Sequence, residues 1–155
     1  MPDVKATVAA RIVREEDGEK IKPFGLNMTI LASADETGGA LSVLVAEHEP
    51  GAGPPPHVHF SQEEMFYVLE GTYEIAIDDG APSIAGPGTF VFLPRNTVHT
   101  FKNVGTTTAR MLDMSLPGGQ DRYFKEIHAL AAKGGFSGDK VIEVSKRHDT
   151  NFPGR

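Results

Sequence analysis

The sequence predicts an all-β domain built from many short antiparallel strands. Three features predict it: β-rich segments recur at close spacing, turn residues are abundant (17 glycines and 11 prolines), and apolar residues alternate with period two. At 155 residues the chain matches one ordinary domain, which can bury about two-thirds of its unfolded surface without disulfide staples.

In chain order, β-rich segments are expected at 7–14 (TVAARIVR) and 26–32 (LNMTILA), the first running into the turn signal Asp17-Gly18. Residues 40–49 alternate, with Leu41, Val43 and Val45 on one face and Ser42 and Ala46 on the other, which reads as a strand. Gly51-Ala-Gly-Pro-Pro-Pro56 breaks it, and the prolines hold the next segment extended. Strands are expected at 57–60, 64–70 and 72–78, with Gly71 between the last two and a hairpin signal at Asp79-Gly80. Segments 89–93, 97–101 and 107–116 complete the set. This rhythm means a sandwich or barrel rather than a parallel α/β sheet. After Pro117-Gly118-Gly119 the period changes. Tyr123, Phe124, Ile127, Leu130 and Ala131 fall at helical spacing over 120–133, ended by Gly134-Gly135, and 139–148 can form a second short helix. The closing stretch 149–155 reads as irregular.

Composition excludes several functions. The chain has no cysteine, which removes disulfides, zinc–thiolate sites and thiol nucleophiles. Its formal charge is −6, with no basic stripe, so no nucleic-acid partner is expected. No apolar run approaches the roughly 20 residues of a membrane helix, and the first 20 residues lack a signal-peptide core. The expected location is cytoplasmic, with no membrane partner. No Walker signature, dinucleotide fingerprint or supported Ser-His-Asp order is present.

Three of the six histidines fall in two related segments. His57 and His59 lie two apart on an expected strand, so both imidazoles project from one face with Cα atoms about 7 Å apart. Glu63 and Glu64 come after a short turn and can add a carboxylate, and a second segment, 88–103, offers His99 on another strand. Three neutral imidazoles and one carboxylate suit a first-row divalent metal with one or two positions left open. Strand parity does not separate Glu63 from Glu64. Phe66 shares parity with Glu64, and Phe101 with His99, so both are expected to face the interior as candidate substrate-pocket residues. Phe60, Phe90 and Phe92 are expected in the core, whereas His48 reads as a surface or rim histidine, and His128 and His148 as solvated.

Gly51-x5-His57-x-His59-x4-Glu64-x6-Gly71 resembles the first motif of the cupin superfamily without a gap. Gly88-x5-Pro94-x-Asn96-x2-His99-x3-Asn103 resembles the second, with Asn96 where the family usually has glycine, a mild departure because asparagine tolerates a left-handed turn. The resemblance implies His57, His59, Glu64 and His99 as metal ligands, and its spacing selects Glu64 over Glu63. It also implies a single cupin jelly-roll β-barrel with a short C-terminal helical appendage: one domain over 1–155, its core at about 26–116 and its helix and tail at 117–155. The tail, with Asp149-x-x-Phe152-x-Gly154, is similar to that of small monocupins of the quercetin 2,3-dioxygenase kind.

The function implied is a metal-dependent, dioxygenase-like oxidoreductase acting on a small aromatic or otherwise hydrophobic molecule. One divalent transition metal per chain (Fe, Mn, Ni, Co, Cu or Zn) is expected, with Glu64 as ligand and catalytic general base. The same ligand set also serves non-redox isomerases, epimerases and decarboxylases, and a non-catalytic barrel can capture a metabolite. A homodimer is expected from the resemblance, through sheet edges that would otherwise stand exposed.

Overall fold

The computed structural model describes residues 8–154. Nine strands form two antiparallel sheets, and two helices come after them. The strands are β1 (Glu19–Ile21), β2 (Met28–Ala32), β3 (Ser42–His48), β4 (Glu63–Glu70), β5 (Tyr73–Ile77), β6 (Ser83–Ala85), β7 (Phe90–Leu93), β8 (His99–Asn103) and β9 (Ala109–Leu116). The helices are α1 (Gln120–Ala132) and α2 (Gly138–Arg147). The larger sheet has the order β1-β2-β3-β9-β4-β7, and the smaller β6-β5-β8. The chain is thus mostly β with two short helices. Its strands stay in two separate ladders rather than one closed barrel.

Register sets what faces inward. Across β4, β9 and β3 the interior rows are Glu64–Ser115–Ser42, Phe66–Asp113–Leu44 and Val68–Met111–Ala46. The buried core draws on both sheets, including Ile30, Leu44, Phe66, Val68, Tyr73, Ile75 and Met111. The intervening rows, Met65–Met114–Val43 and Tyr67–Leu112–Val45, lie on the outer face, as side chains alternate along each strand. Two turns are written into single residues. Gly71 has φ +82°, and a Cβ there would lie 2.6 Å from that of Ala109. Asn96 takes φ +67°, so asparagine does adopt the left-handed turn expected of it.

Several expectations are corrected. Residues 8–14 form no strand, and Thr7 lies outside the described residues. Context overrides their β-favouring composition: the place beside β2 is taken by β1, through Glu19↔Ile30 and Ile21↔Met28, and 8–14 join no ladder among the described residues. Residues 57–60 are extended rather than a full strand, joined only by the isolated bridges His57↔His99 and Val58↔Asn151. On β3 the expected alternation holds, and it is the face of Ser42, Leu44, Ala46 and His48 that turns inward. Phe60, Phe90 and Phe92 are exposed, not core. Strand β6 was not expected.

Helix α1 buries Tyr123 and Ile127 and half-buries Phe124 and Leu130, while Ala131 stays exposed. Asp121 in its first turn accepts from Ala34 N at 3.1 Å and from the Ser42 hydroxyl at 2.5 Å, fastening the helix to β3. Ser137 caps α2, accepting from Lys140 N. No helix among the described residues is long and apolar enough to cross a membrane.

Candidate metal centre

His57 and His59 lie on the extended segment after Pro56, Glu64 on β4 and His99 on β8. The fold brings all four inward and together: one donor atom from each lies within 4.8 Å of the others. All are buried, Glu64 to 4% exposure. Glu64 Oε1 is 3.3 Å from His59 Nε2 and 3.0 Å from His99 Nε2. Its neighbour Glu63 points the other way and pairs with Arg95 at 3.3 Å on the surface.

The far side of each imidazole identifies its tautomer. His57 Nδ1 lies 2.9 Å from the Pro55 carbonyl, His59 Nδ1 2.8 Å from that of Asp149, and His99 Nδ1 2.9 Å from that of Thr97. A carbonyl only accepts, so each Nδ1 carries a proton and donates it. In the neutral rings the three Nε2 lone pairs then converge on a carboxylate. That arrangement repels itself unless a cation or proton sits within it, so the donor set fits a divalent ion.

Burial pushes the His57 pKa down to about 4, with His99 nearby adding to the effect, which favours the neutral ring. Burial also opposes charge on His59, but the hydrogen bond and charge of Glu64 outweigh it and raise its pKa. Burial opposes ionisation of Glu64, yet His59 and His99 hold its carboxyl well below the usual range.

Beside the cluster opens a cavity of about 540 Å³, with walls mainly apolar. Phe24, Met28, Phe101, Met111, Phe124 and Phe152 line it, so both sheets, α1 and the C-terminal tail contribute. Phe101 therefore stands on the cavity wall. Phe66 is 1% exposed, belongs to the core and supports Phe101 edge-to-face at 5.2 Å, rather than lining the cavity.

Four residues of this neighbourhood were not assigned to the site from the sequence. His48 is buried at 2% exposure, lines the cavity and bonds the Tyr73 hydroxyl at 2.8 Å, which overturns its reading as a rim residue. Asp113 is a buried acid whose carboxyl is pushed well above the usual range by burial and by the Glu64 charge. It was visible as a lone acid among apolar residues of 107–116. Gln120 carried no local signal, and Asp149 was noted only in the tail motif, with no role at the site. His128 and His148 are half-buried rather than solvated: His128 Nδ1 accepts from Lys22 N at 3.0 Å, and His148 Nε2 lies 2.6 Å from Glu126.

Residues 44–115 match the family described as Cupin domain. Protein SchB of Streptomyces halstedii is 31% identical over 106 residues, covering 66% of this chain and 75% of that protein. The chain belongs to the cupin superfamily. Quercetin 2,3-dioxygenase of Bacillus subtilis (strain 168) is 26% identical to this cupin over 116 residues, covering 75% of the chain but 34% of the relative. This cupin thus spans about a third of that enzyme. The structure of the polyketide cyclase RemF from Streptomyces resistomycificus superposes with a TM-score of 0.60 at 24% identity, covering 70% of this chain and 80% of that one.

Proposed function

We propose that this cupin holds one divalent transition metal per chain on His57, His59, Glu64 and His99, and acts as a dioxygenase-like oxidoreductase on a small aromatic or otherwise hydrophobic molecule. The observation that carries the reading is the convergence of three Nε2 lone pairs on the Glu64 carboxylate beside an apolar cavity. When bound, the metal would supply a Lewis-acidic centre, redox-capable for Fe, Mn, Ni, Co or Cu, at the cavity wall. The carbonyls of Pro55, Asp149 and Thr97 hold the three imidazoles in their ligating tautomer. Glu64 Oε1 is the base that accepts a substrate proton, its carboxylate kept ionised by His59 and His99. Phe101 and the apolar walls orient the substrate and exclude water.

The relative named quercetin 2,3-dioxygenase supports the oxidative reading. A second reading, a non-redox isomerase, epimerase or decarboxylase, draws on one observation. Asp113 lies beside Glu64, and a pair of carboxyls can move protons without oxygen. Non-catalytic capture of a metabolite is the third. The test is oxygen uptake over flavonols, diketones and thiols with protein reconstituted in Fe, Mn, Ni, Co and Cu. Uptake with one substrate class supports the oxygenase; turnover without uptake overturns it in favour of acid–base chemistry; binding without turnover leaves capture.

We further infer that the two sheets compose the family's jelly-roll barrel and that the chain acts as one domain, since residues between Gln120 and Phe152 close the same cavity as the strands. The cytoplasm and a homodimeric assembly complete the reading.

A further inference from the structure

The cluster uses only part of the polar wall of the cavity. Among the described residues, four buried side-chain atoms have no hydrogen-bond partner: Asp113 Oδ1, Ser115 Oγ, Gln120 Nε2 and Thr150 Oγ1. Three of these residues, Asp113, Gln120 and Thr150, line the cavity. They come from three separate elements: β9, the first residue of α1, and the tail after α2. An unpaired buried polar atom destabilises the fold, and such atoms gather where a ligand or water completes the bonds.

Their placement ties them to the Glu64–His59 side of the cluster. Asp113 sits one inward row from Glu64, whose partner across β9 is Ser115, itself paired with Ser42. Gly119 N donates to Ser42 Oγ at 2.9 Å, which sets Gln120 over the end of the row carrying Glu64. Thr150 stands between Asp149, whose carbonyl holds His59, and Asn151, which bridges Val58.

The three groups are chemically complementary. Gln120 Nε2 only donates, Asp113 Oδ1 is an unpaired carboxyl oxygen that can accept, and Thr150 Oγ1 does either. A hydroxyl is the small group that can accept from the amide while donating to the Asp113 carboxyl oxygen. Hydrocarbon fits the remaining wall of Leu26, Met28, Phe101 and Met111. We propose that Asp113, Gln120 and Thr150 form a hydroxyl-binding subsite beside the metal cluster, selecting an aromatic ligand with a hydroxyl adjacent to its metal-binding oxygen. The inference rests on the metal-centre reading and names the ligand class of that site.

Calorimetry on the full chain loaded with zinc, using naphthalene-2,3-diol and 2-naphthol as probes, tests it. The diol is expected to bind wild type on the order of 10-fold more tightly, the value of one good hydrogen bond. In Gln120→Leu that preference should fall below about 3-fold, with 2-naphthol and zinc binding unchanged. The ligand-free Tm of Gln120→Leu should rise, because an unpaired buried amide has been removed. Thr150→Val, of the same shape, should reduce the preference without lowering Tm. An undiminished preference in Gln120→Leu would overturn the subsite and assign it to chelation by the metal alone. Absence of binding or preference in wild type, or a lower Tm in Gln120→Leu, would also overturn it, the last revealing a water-filled structural role. Wild type that takes up no zinc overturns the metal reading instead, and the ratio of the two probes in wild type against Gln120→Leu still decides the subsite.

Discussion

The main-chain carbonyl of Asp149 accepts the Nδ1 proton of His59 at 2.8 Å across 90 residues of sequence. The Asp149 carboxylate meanwhile accepts from Phe60 N at 2.8 Å and Ser61 N at 2.7 Å. One residue of the tail therefore orients a candidate ligand and pins the backbone beside it, holding φ at +57° to do so.

Removing that carboxylate frees two backbone donors next to His59. Asp149→Ala is expected to weaken metal binding by roughly 10-fold, the usual scale for partners that orient a ligand. Asp149→Asn, which keeps an acceptor and tolerates a left-handed backbone, should fall between. Cobalt titration followed by its visible absorption measures both. Equal affinity in all three proteins would show that the tail does not position His59.

What the sequence made legible was local or periodic. His57, His59 and His99 announced themselves by spacing, and Asn96 by its tolerance of a positive φ. Strands β2 to β5 and β7 to β9 came from alternation, β-favouring composition and turn spacing, whereas β6 did not. Long-range facts were not legible: residues 8–14 look like a strand but join no ladder, and His48 shows no face preference when its neighbours on both sides are mixed. Phe90 and Phe92 are hydrophobic, but β7 pairs only with β4 and turns them outward. Asp149 and Gln120 matter through contacts that only the folded chain makes.

The C-terminal helices are fastened through Ile127, fully buried with Tyr123 and Val144. Ile127→Ala should cost about 3 kcal/mol by leaving a cavity, lowering Tm by roughly 6–12 °C. Phe124, only half-buried, should cost less on truncation than a fully buried aromatic. Thermal unfolding of the metal-free protein ranks the two. The reverse order would mean that the helices lean on the cavity wall rather than on their own cluster.

Burial lowers the His48 pKa to about 4, while the unfolded chain titrates near 6.5. Below pH ~6.5 the unfolded state takes up a proton that the folded state refuses, so stability is full above that pH and declines towards pH 4. The contribution is about 3 kcal/mol. Around the ring stand Tyr73 and Phe101, and among the described residues no salt bridge is made by His48. His48→Gln should flatten part of the loss between pH 6.5 and 4.5 in urea unfolding with chelator present. Parallel profiles for the two proteins would remove His48 as a source of acid sensitivity.

Two rows on the outer face of the larger sheet are apolar up to its edge. Phe90 and Phe92, 57% and 53% exposed, continue the rows Tyr67–Leu112–Val45 and Met65–Met114–Val43. An edge strand bearing two exposed aromatics invites pairing, and we infer that a second copy covers it by an isologous contact. Phe92→Lys should then convert dimer to monomer in light scattering. A wild-type monomer at working concentration would dismiss the interface.

The two adjacent glutamates give the most direct test of the metal centre. Neighbours on a strand face opposite ways, and here Glu64 turns inward to His59 and His99 while Glu63 turns out to Arg95. Glu64→Gln keeps the shape but replaces the anion with a neutral amide among three imidazoles. Metal affinity should fall roughly 10-fold or more, and any turnover should vanish with the base. Glu63→Gln removes only an exposed ion pair, which is worth about 0–1 kcal/mol, and should leave affinity unchanged. Titration of both variants with the same metal decides between them. If Glu63→Gln proved the weaker binder, β4 would have to slip by one residue, which would also turn Phe66 and Val68 out of the core. The burial of those two side chains is therefore an independent check on the same register.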